Sequence, residues 1–113
     1  MEDFIKPAIE FFKKAKGEVA IVFGHDDDSI ASSSIFFKLS KKLKLKPKLI
    51  VSLHNFEIDE KTAKKLEKFK NILVTDIGDT PEDRINKLSR KKLLLIVDHH
   101  LPKKYNCLYA NPR

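Results

Sequence analysis

Cys107 is the only cysteine of this sequence, tryptophan is absent, and acidic residues are outnumbered by basic ones, 16 to 23. One thiol excludes an intrachain disulfide and points to a reducing compartment. Also missing is any apolar run near the roughly 18 residues that a membrane span needs. The opening stretch, MEDFIKPAIEFFKKAKGE, places acids ahead of its apolar residues and has no long apolar core, which is not the pattern of a secretory signal. These absences predict a cytoplasmic chain with no membrane partner. Linkers and low-complexity tracts are lacking too, so the chain reads as one unit.

What is present suits a single globular domain. The 113 residues are 42% hydrophobic and 35% charged, enough for one modest core and too few for two. The formal net charge of +7 is concentrated in lysine, most densely in KLSKKLKLKPK at 38–48 and SRKK at 89–92. That balance favours polyanionic partners, nucleic acid first among them, although lysine-rich helices also serve as plain solvated surface.

Strand and helix signals alternate along the chain. Phe4, Ile5, Ala8, Ile9, Phe11, Phe12 and Ala15 recur at near-helical spacing until Gly17 stops them. EVAIVF reads as a strand broken at Gly24, and Ile30, Ile35, Phe36, Leu39 and Leu43 predict a helix to about Lys44. PKLIVSL is a second strand, residues 54–58 a loop and 59–69 a lysine-rich helix. NILVTDIG follows as the third strand and turn, and then a helix to about Ser89 with Thr80 as N-cap and Pro81 at its first position. LLLIVDHH is the fourth strand, LPKK a loop, and CLYAN a short fifth strand. Continuous apolar strands alternating with helices predict an α/β fold, a three-layer Rossmann-like parallel sheet of four to five strands with helices on both faces.

Three of those strands end in acids: VFGHDDD, LVTDIGD and LIVDHH. In an open parallel sheet, the carboxyl ends of the strands share one edge, where ligands bind. A strand order of 2-1-3-4 sets the first, third and fourth side by side, which gathers the three clusters into one site. Each has an ordinary reading taken singly, since one Asp at a helix start is a cap and a lone His is more often a bystander than a ligand. Their coincidence is what argues for a site. Like charges brought together need compensation, and Asp oxygens with His nitrogens and no thiolate suit Mn²⁺, with Mg²⁺, Co²⁺ or Zn²⁺ as alternatives. Two such ions about 4 Å apart would clamp the attacking and leaving oxygens of a phosphoryl transfer.

VDHH at 97–100 resembles the signature of the DHH phosphoesterase superfamily, which includes RecJ-type exonucleases, oligoribonucleases, cyclic-dinucleotide phosphodiesterases and manganese-dependent inorganic pyrophosphatases. DDDSIASS resembles the family's first motif and TDIGD its second. The resemblance implies that Asp26 and Asp28 form a metal-binding pair, with Ser29 in a slot that is Gly or Ser in relatives. It implies that Asp76 bridges two Mn²⁺ ions, that His99 is a ligand to the second, that Asp98 orients His99, and that His100 contacts the substrate phosphate. Lys103, Lys104 and Arg113 are further candidates for the phosphate. His25 stands immediately before Asp26, where relatives leave a gap, so a second register, His25 with Asp27 and Ser29, stays open beside the first. The resemblance runs over about residues 18–113 and stops before the family's fourth motif and its substrate-gripping DHHA domain, so the chain is expected to be a single, partial DHH domain.

Two function classes follow. The leading one is a metal-dependent phosphoesterase module that cleaves phosphodiester bonds of single-stranded DNA, RNA or short oligonucleotides through a metal-activated water, with a second chain or further domain completing the site. The alternative is a catalytically incomplete RecJ-like scaffold that binds a replication or repair partner. A receiver-type or flavodoxin-like domain shares the architecture but has no place for DHH or TDIGD. A sheet face left uncovered would favour self-association, so dimerisation or marginal stability is also expected.

Overall fold

The computed structural model describes residues 2–52, 57–77, 79–99 and 102–112. In chain order the elements are α1 (Glu2–Lys14), β1 (Glu18–Phe23), α2 (Asp27–Lys42), β2 (Lys46–Val51), α3 (Glu60–Leu66), β3 (Asn71–Thr75), α4 (Glu82–Ser89), β4 (Leu93–Val97) and β5 (Leu108–Ala110). All strands pair in parallel in the order β2-β1-β3-β4-β5. The expected α/β architecture is present, a parallel five-stranded sheet with helices on both faces.

Burial explains why these strands form where they do. Every residue of β3 is buried and β1 is buried from Val19 to Val22, as expected of central strands covered on both sides. Alternate residues feed two cores. Val19, Ile21, Leu73 and Leu95 pack with Phe11 and Ala15 of the α1 side, whereas Ala20, Val22, Ile72, Val74 and Ile96 pack with Leu66, Ile85 and Leu88 of the α3 and α4 side. Gly17, at φ 76°, makes the left-handed turn between α1 and β1 that ends the first helical pattern.

Two boundaries differ from the sequence reading. Thr80 is not the N-cap of α4: its hydroxyl accepts a hydrogen bond from the Ile58 N–H at 2.7 Å, tying the α4 entry to the start of α3. Pro81 takes the N-cap position itself, with no side-chain cap, because its extended ψ of 140° keeps it outside the helix. The helix expected over 59–69 is shorter. Asp59 caps it by accepting from Thr62 N at 3.1 Å, and the helical pattern ends at Leu66, after which Phe69 turns its ring into the core. Most of the loop expected at 54–58 lies outside the described residues.

Candidate metal centre

The cleft at the carboxyl edge of the sheet is assembled from the first turn of α2 and the ends of β3 and β4. Its position follows from one buried hydroxyl. Ser29 Oγ accepts from Gly24 N at 2.6 Å and donates to Thr75 O at 3.2 Å, so it clamps the start of α2 against the ends of β1 and β3. One turn on, the Ser32 and Thr75 hydroxyls meet at 2.6 Å. A larger side chain at position 29 has no room there, as Ser29 is fully buried.

Three consecutive acids therefore have three different fates. Asp26 is the N-cap of α2, its carboxylate accepting from Ser29 N at 2.8 Å. Asp27 and Asp28 fall in the first turn, where the helix dipole offsets their charge. Of the two, Asp28 lines the cleft. Asp76 follows β3 at φ 62°, a left-handed conformation that Asp tolerates better than most residues, and its side chain is 6% exposed. Its N–H donates to Val97 O at 2.8 Å, which fixes the turn against β4.

His99 comes from the end of β4, and its Nε2 lies 2.7 Å from Asp76 Oδ1. One ligand atom each from Asp28, Asp76 and His99 lie within 4.8 Å of one another. Two carboxylates and an imidazole make an oxygen and nitrogen donor set that suits a borderline or hard divalent ion such as Mn²⁺. The nearly buried carboxylate of Asp76 forms the floor and the exposed Asp28 and His99 stand at the mouth of a cleft of about 260 Å³. The residues present thus fit a metal ion, and among the described residues this is the one such cluster.

Other expected site residues lie elsewhere or farther off. Asp98, 3% exposed, lines the cleft beside His99, and its N–H donates to Ala110 O at 3.0 Å. His25 is exposed on the loop before Asp26 and does not line the cleft. Lys103 is half-buried, its N–H donating to the Tyr109 hydroxyl at 3.2 Å, and the Lys104 N–H donates to Glu82. His100 and Arg113 lie outside the described residues. Ser32, Thr75 and Pro112 line the cleft without having been singled out in the sequence. Ser32 had a legible signal, since it sits four residues after Asp28 and so on the same side of the helix.

Comparison with known proteins places this geometry. The profile of the DHH family, N-terminal domain, matches residues 18–113. The crystal structure of exonuclease RecJ bound to manganese superposes with a TM-score of 0.79 at 16% identity, over 96% of this chain and 31% of that one. RecJ in complex with Mn²⁺ from Thermus thermophilus gives 0.75 at 18% identity, over 99% of this chain and 17% of that one. At such identities the likeness is one of fold, and this chain spans a third or less of either structure. Among curated proteins none matches.

Proposed function

Because the chain belongs to the DHH family, we propose that it is a RecJ-like module which holds a divalent ion in its cleft, is catalytically incomplete by itself, and works by docking to a replication or repair partner. The observation that carries this reading is the size of the cluster among the described residues. Asp28, Asp76 and His99 converge, whereas Asp26 is engaged in capping α2. Three ligands suit one ion better than the pair that the two-ion reading of the motifs requires. In this proposal residues 1–113 act as one DHH-type domain, and a second chain or a DHHA-type domain supplies the remaining ligands and the grip on a substrate.

One observation favours the phosphoesterase reading for the completed site. Asp76 is held on a left-handed backbone at the floor of the cleft, a conformation that recurs where function constrains a side chain. A divalent ion bound there supplies a Lewis acid for a phosphoryl oxygen and lowers the pKa of a water. The chain's own contribution is positional. Asp28, Asp76 and His99 would hold the ion, and Asp98, which lines the cleft beside them, would orient His99. His100, with Lys103, Lys104 and Arg113, would face the phosphate of single-stranded nucleic acid or a short oligonucleotide.

Calorimetric titration with MnCl₂ tests both readings. One ion per chain is expected, lost in Asp76→Asn and retained in Asp26→Asn, with circular dichroism reporting that each variant is folded; Asn keeps the left-handed backbone of position 76 accessible. Two ions, or loss of binding in Asp26→Asn, would transfer support to a complete phosphoesterase centre. Absence of binding in the parent chain overturns the metal assignment and leaves the docking role alone.

A further inference from the structure

The outer face of α1 and α2 carries apolar surface that neither core nor cleft uses. The two helices lie on the same side of the sheet and meet through Phe12 and Phe36, whose rings stack with centroids 6.2 Å apart. Continuing round α1 from Phe12 come Ile9 and Ile5, 48% and 44% exposed. Continuing round α2 from Phe36 come Leu43, Leu39 and Ile35, 48%, 37% and 65% exposed. Spacings of three or four residues within each set make one apolar stripe on each helix, and the helices meet at the Phe12 and Phe36 contact. Large aliphatic side chains scattered over a surface are ordinary, but five of them aligned along two neighbouring helices mark an interaction face.

Among the described side chains, lysines border those stripes. Beyond Ile9 on α1 the next exposed positions are Lys13 and Lys6, and beyond Ile35 on α2 they are Lys38 and Lys42. No acid occurs between Ser29 and Lys48, and Glu10 on α1 is paired with Lys14 at 3.0 Å. A second copy of the chain would set lysine rim against lysine rim, which opposes self-pairing. An apolar stripe between two basic rims is the complement of an amphipathic helix whose apolar face is bordered by Glu or Asp. We infer that the α1 and α2 face is a docking surface for an acidic amphipathic helix of a partner protein.

The inference deepens the docking reading above by naming its surface and the chemistry of the partner. Asp28 lies seven residues before Ile35 on the same side of α2, but Asp76 and His99 come from other elements, so peptide binding by Asp76→Asn, which should lose manganese, keeps failure of the two readings distinguishable. The probe is a synthetic amphipathic peptide with a leucine stripe flanked by glutamates, added to the isotope-labelled chain and followed by amide chemical shifts. A second peptide keeps the stripe and replaces every glutamate with lysine.

Saturable binding with shifts confined to α1 and α2 is expected, weaker by about tenfold for the lysine peptide. The double variant Ile35→Ser with Leu39→Ser should lose binding while keeping its melting temperature, since both side chains are already part-exposed. Lys38→Glu with Lys42→Glu should weaken the glutamate peptide and strengthen the lysine one. Equal binding of the two peptides, shifts on other elements, or no binding overturns the inference. A dimer in sedimentation that the Ile35→Ser and Leu39→Ser changes dissolve would overturn it in favour of a second copy as the occupant.

Discussion

A hydroxyl, a carboxylate and a thiol show how single residues acquire different chemistry from their surroundings. Ser29 Oγ gives the buried Gly24 N–H its acceptor. Ser29→Ala is therefore expected to cost roughly 1–3 kcal/mol in urea denaturation, the penalty of a buried donor left unsatisfied; an unchanged midpoint would show that the clamp contributes nothing. Asp59 has its carboxyl held below the usual range by hydrogen bonds from Thr62. A depressed folded-state pKa contributes stability that is present above the unfolded value and lost as pH falls through the folded one. Asp59→Ala should cost about 1 kcal/mol at neutral pH, and the gap between parent and variant should close below about pH 4. Burial pushes the Cys107 thiol up to about 12, so it should resist iodoacetamide at about pH 8 until the chain is unfolded, and rapid labelling of the native chain would contradict that.

Strands and helices were legible to different degrees. β1, β3 and β4 lie where continuous apolar runs predict them, because a strand covered on both faces is apolar along most of its length. At the centre of the sheet Leu73 is fully buried, and Leu73→Ala is expected to cost about 2–5 kcal/mol. Edge strand β2 differs, with Leu49 and Val51 half-exposed beside Lys46 and Lys48. Leu49→Ala should change stability by only about 0.5 kcal/mol, so equal losses at positions 49 and 73 would mean that the β2 edge is covered in solution. The ends of α3 and α4 were less legible. Thr80 has the composition of a cap, but its hydroxyl is claimed by Ile58, a residue 22 positions away that no local pattern reveals.

For the molecule as a whole, the described chain has a radius of gyration of 12.5 Å, close to the roughly 13 Å expected of a packed domain this size. Among its described residues no helix is long and apolar enough to cross a membrane. The net charge of +7 acts at this scale. Any association with single-stranded oligonucleotides should be governed by counterion release, falling log-linearly with salt and indifferent to sequence. Filter binding across a salt series checks this; affinity that survives high salt would point to base stacking.

Element order, the parallel sheet and the gathering of VFGHDDD, LVTDIGD and LIVDHH at one edge were determined by the sequence alone, because apolar periodicity and the geometry of βα units leave few other arrangements. Family membership was equally legible from VDHH, DDDSIASS and TDIGD. Which acid of the consecutive three enters the cleft was decided only by the tertiary structure. Successive helical residues point about 100° apart, so capping by Asp26 and the Ser29 clamp together turn Asp28 toward Asp76. The exposed apolar stripes of α1 and α2 were hidden for a related reason. Periodicity reads Ile5, Ile9, Ile35, Leu39 and Leu43 as core, but a helix lying on a sheet buries only one arc of its circumference, and the packing of Phe12 on Phe36 set which arc that was.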